Sequence, residues 1–268
     1  MRSVGLPVAR AGLYPTRCPS APQSGRERGV SLVELAIGLL ILSLIIGGLL
    51  VPLASQVEQS RVSQTQRELE EIREALVGFA LANGRLPCPA SIASNGVESP
   101  LGGGACTNPY NGFVPAVTLG LSQVDAQGYA VDAWGLLQNR VRYAVSPASG
   151  NAFTSAGQMR MVGMSALAPD LQVCATGSGA TVIACGAGAT LATNAVAVVY
   201  SVGPNAATGG TSMDEAQNAN PNSANNDRVF VSRVRSNPGA AGAEFDDLVT
   251  WLSPNVLYAR LVSAGQLP

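Results

Sequence analysis

Acidic residues in the last third of the sequence are the clearest candidates for chemistry. Asp246 and Asp247 are adjacent, and Glu244 lies two positions before them. An Asn-rich stretch upstream contains three more acids: Asp214, Glu215 and Asp227. Carboxylate oxygens are the ligands that a hard cation such as calcium prefers. We therefore interpret these residues as solvated surface acids that need no cofactor, and we keep a calcium site that includes Asp246 or Asp247 as the alternative.

Residue types on which most enzymes depend are missing. The sequence contains no His, which is the commonest general base and the commonest metal ligand. It also lacks a Gly-x-Ser-x-Gly pattern, a phosphate-binding loop and a Cys-x-x-Cys pair, which mark several hydrolase, nucleotide-binding and redox families. We therefore expect no catalytic residues and no enzymatic activity.

The charge distribution argues against nucleic-acid binding. The net charge is −1, aromatic residues make up 5% of the chain, and all 16 basic residues are Arg. A nucleic-acid-binding protein typically presents a basic face with aromatic side chains between the charges, and no stretch of this sequence has that pattern. We therefore expect no nucleic-acid partner.

A single carboxylate stands at the start of an apolar stretch near the N-terminus. Glu34 is followed by residues 35–54, which carry no charge. As a helix this stretch would span roughly 30 Å, the thickness of a bilayer core. Arg26 and Arg28 precede it, which predicts that its N-terminal side faces the cytoplasm. We therefore predict a transmembrane helix over residues 30–54.

Helical periodicity continues through residues 55–84. Apolar residues recur there at spacings of three, four and seven positions, as Val62, Leu69, Ile72, Leu76 and Phe79. Most charged residues of this segment lie on the other faces, which is typical of a helix with one buried side. Asn83 and Gly84 provide a C-terminal stop signal. The pattern predicts an amphipathic helix that continues the apolar one.

Beyond residue 85 the sequence consists of short apolar runs between Gly, Pro, Ser and Asn, which is typical of strands and turns. The predicted strands are residues 141–145, 171–175, 181–185, 195–202, 229–234 and 247–252. A short final helix is predicted over residues 255–262, and the polar segment 205–227 is predicted as a long surface loop. We therefore expect residues 85–268 to form a globular α+β head.

The beginning of the apolar stretch has a distinctive order of residues. In RGVSLVELAIGLLIL a Gly follows basic residues and directly precedes the apolar helix, and a Glu lies five positions after that Gly. This stretch resembles the leader region of type IV prepilins and type II secretion pseudopilins. The resemblance implies a leader over residues 1–29, cleavage after Gly29 by a prepilin peptidase, N-methylation of Val30, and Glu34 as the signature glutamate of filament assembly. An ordinary secretory signal and a simple uncleaved anchor are the alternatives.

Two later regions are also similar to pseudopilins. The stretch VDAWGLLQNRVRYAV, residues 131–145, resembles the Asp-x-Trp-Gly turn that leads into a strand. The stretch FDDLVTWLS, residues 245–253, resembles the acidic loop near the C-terminus. Major pseudopilins bind calcium in a C-terminal loop, so the resemblance also implies calcium at Asp246 or Asp247.

The cysteine count becomes even if the leader is removed with Cys18. Four cysteines then remain, Cys88, Cys106, Cys174 and Cys185, and four cysteines allow three connectivities. We predict that neighbours pair, Cys88 with Cys106 and Cys174 with Cys185. Disulfides would indicate an oxidising compartment such as the periplasm, and buried free thiols are the alternative.

These features predict an α+β, pilin-like fold with a long N-terminal α-helix, transmembrane in its first half and amphipathic in its second, packed on an antiparallel β-sheet of a periplasmic head. The predicted function is a structural subunit of a type II secretion pseudopilus or a related type IV filament. Its partners would be the prepilin peptidase, other pilin-like subunits and the inner-membrane assembly platform. The chain would cross the bacterial inner membrane once before it joins the filament. A minor pilin of a type IV pilus is one alternative, and a membrane-anchored periplasmic enzyme or binding domain is another.

Overall fold

The structure is a computed structural model that describes residues 29–135, 137–208, 210, 212–219, 227–236 and 243–268, with the backbone alone at 47–54. The chain divides into two compact units, Met1–Leu53 and Ala54–Pro268. The predicted leader, apart from Gly29, lies outside the described residues, as do Cys18, Arg26 and Arg28.

The first helix, α1, extends over Leu32–Asn83 and has parts in both units. Among the described residues, no helix has the length and the apolar character that a membrane crossing requires. The predictions of a transmembrane half over residues 30–54 and of a single-pass inner-membrane location are therefore wrong.

Among the described side chains of α1, those that contribute to a core lie in its later part. Four residues of the expected apolar stripe are buried there: Val62, Leu69, Ile72 and Leu76. They belong to a cluster that includes Tyr143 and Val199 of the main sheet, whereas residues 30–46 are exposed. The prediction that one long helix packs on the sheet is therefore wrong, because the side chains of α1 that are described as packed on the core all lie in the second unit.

The described residues form seven strands in two sheets. The strands are β1 Gly112–Phe113, β2 Arg142–Val145, β3 Leu171–Cys174, β4 Thr190–Ala195, β5 Ala197–Ser201, β6 Val229–Val231 and β7 Leu248–Leu252. The larger sheet is antiparallel with the order β1-β2-β5-β7, and Val198 of β5 lies opposite Trp251 of β7. The smaller sheet has the order β4-β3-β6, antiparallel between β3 and β4 and parallel between β3 and β6. The fold class is thus α+β with mainly antiparallel sheets.

Short helices connect these strands. They are α2 Ala116–Leu119, α3 Ala148–Asn151, α4 Gln158–Val162, α5 Met213–Ala219 and α6 Pro254–Ser263, with a 3₁₀ turn at Leu137–Asn139. The last helix shows why its sequence folds as it does. The Ser253 hydroxyl accepts a hydrogen bond from the Val256 amide, and Pro254 occupies the first turn, where its missing amide hydrogen is not needed. Leu257 and Leu261 are then buried on one face.

The strand predictions are mostly confirmed, with shifted ends, by β2, β3, β5, β6 and β7, and α6 confirms the final helix. Residues 181–185, in contrast, are irregular. The Thr181 amide donates to the Ala184 carbonyl at 2.9 Å, and the side chain of Ile183 is 53% exposed, so this apolar run has no sheet to pack on. The sequence analysis did not predict strands β1 and β4, the 3₁₀ turn, the short helices α2, α3 and α4, or helix α5 inside the segment expected to be a loop.

Both predicted disulfides are confirmed. Cys88 pairs with Cys106 at a Cα separation of 5.3 Å, and Cys174 pairs with Cys185 at 5.6 Å. Disulfides persist in oxidising compartments and are rare where thiols are kept reduced. The chain therefore has the cysteine chemistry of a protein that folds in an oxidising compartment.

A buried ion pair fastens the segment that follows α1. Arg85 donates to the two carboxylate oxygens of Glu98 at 2.7 and 2.8 Å, and both side chains are buried. The amides of Cys88 and Gly102 also donate to Glu98, each at 3.1 Å. Burial alone would raise the pKa of Glu98, but the hydrogen bonds from Arg85 and Cys88 outweigh it and lower the pKa. The Arg85–Glu98 pair thus connects the end of α1 to the loop that the Cys88–Cys106 disulfide closes.

We expect Glu98→Ala to lower the free energy of unfolding by about 3–5 kcal/mol, because it leaves the Arg85 guanidinium buried without its counter-charge. The measurement is urea denaturation of the full-length protein. The control is Glu70→Ala, which removes an exposed pair with Arg73 and should cost less than about 1 kcal/mol. Equal, small losses in the two variants would contradict the role assigned to Glu98.

Candidate functional site

Three carboxylates from two parts of the chain meet in the second unit. Glu215 lies on α5, and Asp246 and Asp247 directly precede β7. Each offers a carboxylate oxygen within 4.8 Å of the other two, and all three residues are buried. We call these three residues the carboxylate cluster. Such a grouping places several negative oxygens around one point, which is the arrangement that a cation requires.

Hydrogen bonds from neighbouring amides fix the cluster. Glu215 Oε1 accepts from the Asp246 amide and from Asn205 Nδ2, both at 3.1 Å. Asp247 Oδ2 accepts from Asn218 Nδ2 at 2.8 Å. Asn218 also exchanges hydrogen bonds with the backbone of Val231 at 2.7 and 2.9 Å. Helix α5 is therefore held against β6 by the same side chain that positions Asp247.

One oxygen of the cluster has no partner. Asp246 is 5% exposed, and its Oδ1 accepts no hydrogen bond from any residue that the structure describes. The amide oxygen of Asn205, next to the cluster, is also buried without a described partner. Gly203 packs directly against the Asp246 carboxylate at a φ of +67°, and a Cβ there would collide with the carboxylate. Position 203 must therefore be Gly, because any side chain there would occupy the space of the Asp246 carboxylate.

Burial changes the protonation of the cluster. Burial and then the negative charge of Glu215 raise the pKa of Asp246 from 3.8 to about 7. Burial also raises the pKa of Asp247 to about 8, with the charges of Asp246 and Glu215 adding to it against the Asn218 hydrogen bond. Protons would therefore neutralise part of the cluster near neutral pH unless a cation balanced its charge.

The residues present fit a hard cation. Calcium takes six to eight oxygen ligands from mono- or bidentate carboxylates and from amide or carbonyl oxygens. The three carboxylates and the amide oxygen of Asn205 supply oxygens of this type. Asp246 Oδ1 and Asn205 Oδ1 accept no hydrogen bond from the described residues. No nitrogen or sulfur ligand lies in the cluster, so its donor set suits calcium better than zinc.

The structure sorts the acids that the sequence suggested as ligands. It brings Asp246 and Asp247 together with Glu215, as the calcium alternative requires. Asp214 instead pairs with Arg233 at 2.7 Å, and Asp227 accepts from Gln217 at 2.9 Å. Glu244 is not part of the cluster. Asn205 and Asn218 were not foreseen, and the richness of the segment in Asn was the only signal for them.

The N-terminal residues singled out by the sequence lie on a separate, exposed segment. Gly29 and Val30 immediately precede α1, and Glu34 lies in its first turn. Twelve large apolar side chains from Val30 to Ile46 are each between 50% and 85% exposed. We call residues 30–46 the apolar segment. Its side chains present a continuous apolar surface to whatever surrounds them.

Comparisons with protein-family models, with curated proteins and with solved structures find no match to this chain.

Without a cation, the protein should lose stability as pH rises. Each carboxyl of Asp246 and Asp247 keeps its proton in the folded state up to about pH 7 or 8, whereas the unfolded chain releases it near 3.8. The stabilisation present below pH 3.8 is therefore lost progressively up to about pH 8, at about 1.4 kcal/mol per unit of pKa difference for an isolated group.

Urea denaturation in excess chelator measures this effect. Asp247→Asn keeps an acceptor for Asn218 and removes the charge, so the variant should be more stable than the parent at pH 8 and similar to it near pH 4. The control Glu74→Gln removes an exposed charge and should leave the pH profile unchanged. A parent profile that is flat between these two pH values would contradict the pKa assignment.

Proposed function

We propose that this chain is a structural subunit of a filament, a type II secretion pseudopilus or a related type IV filament, that assembles through its N-terminal helix. The observation that carries the proposal is the apolar segment, with twelve large exposed side chains, eleven of them on α1. Exposed apolar surface of this extent marks a site of association. No residue with catalytic chemistry is required for such a role.

Helical association among copies would bury this surface. Each apolar segment would pack against those of neighbouring subunits, through a head-to-tail interface that does not close on itself. Contacts between Leu, Ile and Val side chains have little directional preference, so they do not by themselves define the axial position of one helix relative to the next. A polar contact is needed to define it.

Glu34 would supply that polar contact. A prepilin peptidase cutting after Gly29 would expose a positively charged amine on Val30, which the resemblance to prepilins predicts. Glu34 is the only acid of the apolar segment, and a pair between it and the amine of an adjacent subunit would leave neither charge isolated. At about 4 Å and an effective dielectric constant near 20, this attraction is roughly 4 kcal/mol.

Calcium would serve the same subunit in a structural role. We infer that the carboxylate cluster binds calcium, with Glu215, Asp246 and Asp247 as ligands and Asn205 Oδ1 as a further oxygen donor. The cation would replace protons on Asp246 and Asp247 and hold α5 beside β7. The C-terminal acidic loop would then remain ordered at neutral pH.

Glu34→Ala and Glu34→Gln should both abolish filament incorporation, because each removes the charge, and the second keeps the shape. Shear fractionation and crosslinking of cells expressing the full chain measure the yield, which should fall at least about tenfold for a lost pair of this strength. Ser43→Ala, which alters a polar side chain on the same exposed helix, should keep the normal yield.

The same material tests processing. Mass spectrometry of filament protein should show an N-terminus at a methylated Val30. Normal yield from both Glu34 variants would refute the charge pair, and an N-terminus other than Val30 would refute the assignment of the leader.

Calcium should raise the melting temperature of the full-length protein at neutral pH by about 5 °C or more at saturation, since a ligand that binds only the folded state adds to stability. Asp246→Asn should remove this response because it removes the negative charge of a proposed calcium ligand. Glu244→Gln, two positions away and outside the cluster, should retain it. Equal melting temperatures of the parent in calcium and in chelator would exclude the site.

A further inference from the structure

A small cavity lies between the later part of α1 and the loop that follows α2. Its volume is about 70 Å³, and Glu68, Ile72, Leu121 and Ala130 are among the residues that line it. The first two belong to α1 and the other two to the loop region, all within the second unit. A single water occupies roughly 10–15 Å³ by the same kind of measure. The cavity therefore has room for a group of several heavy atoms.

Glu68 is the unusual side chain of this cavity. It is 8% exposed, and its Oε1 accepts a hydrogen bond from Gln64 Nε2 at 2.8 Å. Its Oε2 is buried and has no hydrogen-bond partner among the described residues. A buried acceptor without a donor costs free energy, more so when it is charged. The carboxylate is thus placed to accept a donor that the described part of the chain does not supply.

The charges around Glu68 are mainly negative. Asp132 and Glu71 both act on it unfavourably, and burial is the largest cause of its raised pKa. Arg67, the one cation that acts on it favourably, is exposed. Glu71 also lines the cavity, so a positive group inside would lie near two carboxylates. The electrostatics of the cavity therefore favour a cation.

We propose that this cavity binds the guanidinium group of an arginine side chain from a protein partner. A guanidinium is planar, weakly hydrated and carries five N–H donors, so it can donate to Glu68 Oε2 while its faces contact apolar walls. Ile72, Leu121 and Ala130 provide such walls. The proposal concerns a different surface from the apolar segment and does not depend on filament assembly.

Other cations fit less well. A metal ion such as calcium needs six to eight oxygens, whereas Glu68 is the only buried carboxylate that lines the cavity. A Lys ammonium is strongly hydrated and makes no use of apolar walls. If the partner is a second copy of this chain, its side-chain cation must be Arg, because the sequence contains no Lys and no His.

The test compares two peptides that differ only in charge. The full-length protein, purified in mild detergent because of its exposed apolar segment, is titrated with acetyl-Gly-Arg-Gly-amide and with the same peptide containing citrulline. The methyl resonance of Ile72 reports on the cavity. We expect the arginine peptide to shift this resonance in a saturable manner and the citrulline peptide to bind about 30-fold more weakly, or not at all.

Variants decide whether Glu68 is responsible. Glu68→Gln should weaken the arginine peptide about 30-fold, whereas Glu74→Gln, an exposed residue on the same helix, should leave binding unchanged. The methyl resonances of Val199 and Leu257, which are buried and lie outside the cavity, show whether a variant is folded. Equal binding of the two peptides, no binding of either, or full binding by a folded Glu68→Gln protein would each overturn the proposal. The peptide comparison on the parent protein decides the matter even if the variant fails to fold.

Discussion

The buried carboxylate of Asp132 is the interaction on which the second unit depends most. It accepts from Ser201 Oγ at 2.5 Å, from Asn139 Nδ2 at 3.0 Å and from the Trp134 amide at 3.0 Å. These donors come from the end of β5, from the 3₁₀ turn and from the Asp-Ala-Trp-Gly turn itself. Because Asp132 is 3% exposed, each of them compensates for water that the carboxylate has lost.

This network also sets the position of the carboxylate cluster. Asn139 Nδ2 donates to the Gly203 carbonyl at 2.6 Å, and Gly203 is the residue that packs against Asp246. On the other side, Trp134 Nε1 donates to Glu58 of α1 at 3.3 Å, and Arg235 pairs with Glu58 at 3.0 Å. One turn therefore connects the helix, the main sheet and the acidic loop. A cation at the cluster would therefore stabilise an acidic loop that is already positioned by the contact of Gly203 with Asp246.

Much of the second unit could be predicted from the sequence, because its elements are determined by local apolar patterns. The stripe from Val62 to Leu76 is buried, and apolar runs marked five of the strands. Strand β4 was not predicted because most of its residues are exposed, so it has no apolar pattern, and its conformation depends on pairing with β3. Helix α5 is seven residues long and depends on contacts of Glu215 and Asn218 with distant residues. Such contacts are not visible in a local pattern.

The membrane prediction was wrong and the disulfide prediction was correct because the two rested on different properties of the sequence. Counting uncharged residues measures the length of a run without charges, but this run also contains Gly, Ser and Pro, which make it less apolar than its length implies. Pairing of neighbouring cysteines needed only that short loops bring their ends together, which chain entropy favours. The cysteine pairing, which rested on short-range chemistry, was confirmed, whereas the membrane prediction, which rested on total length, was wrong.

The apolar segment and the carboxylate cluster share one property: each has surface or charge that the described chain leaves unbalanced. Apolar side chains in water and buried carboxylates without cations both cost free energy, which is the physical reason for proposing a partner at the first and a cation at the second.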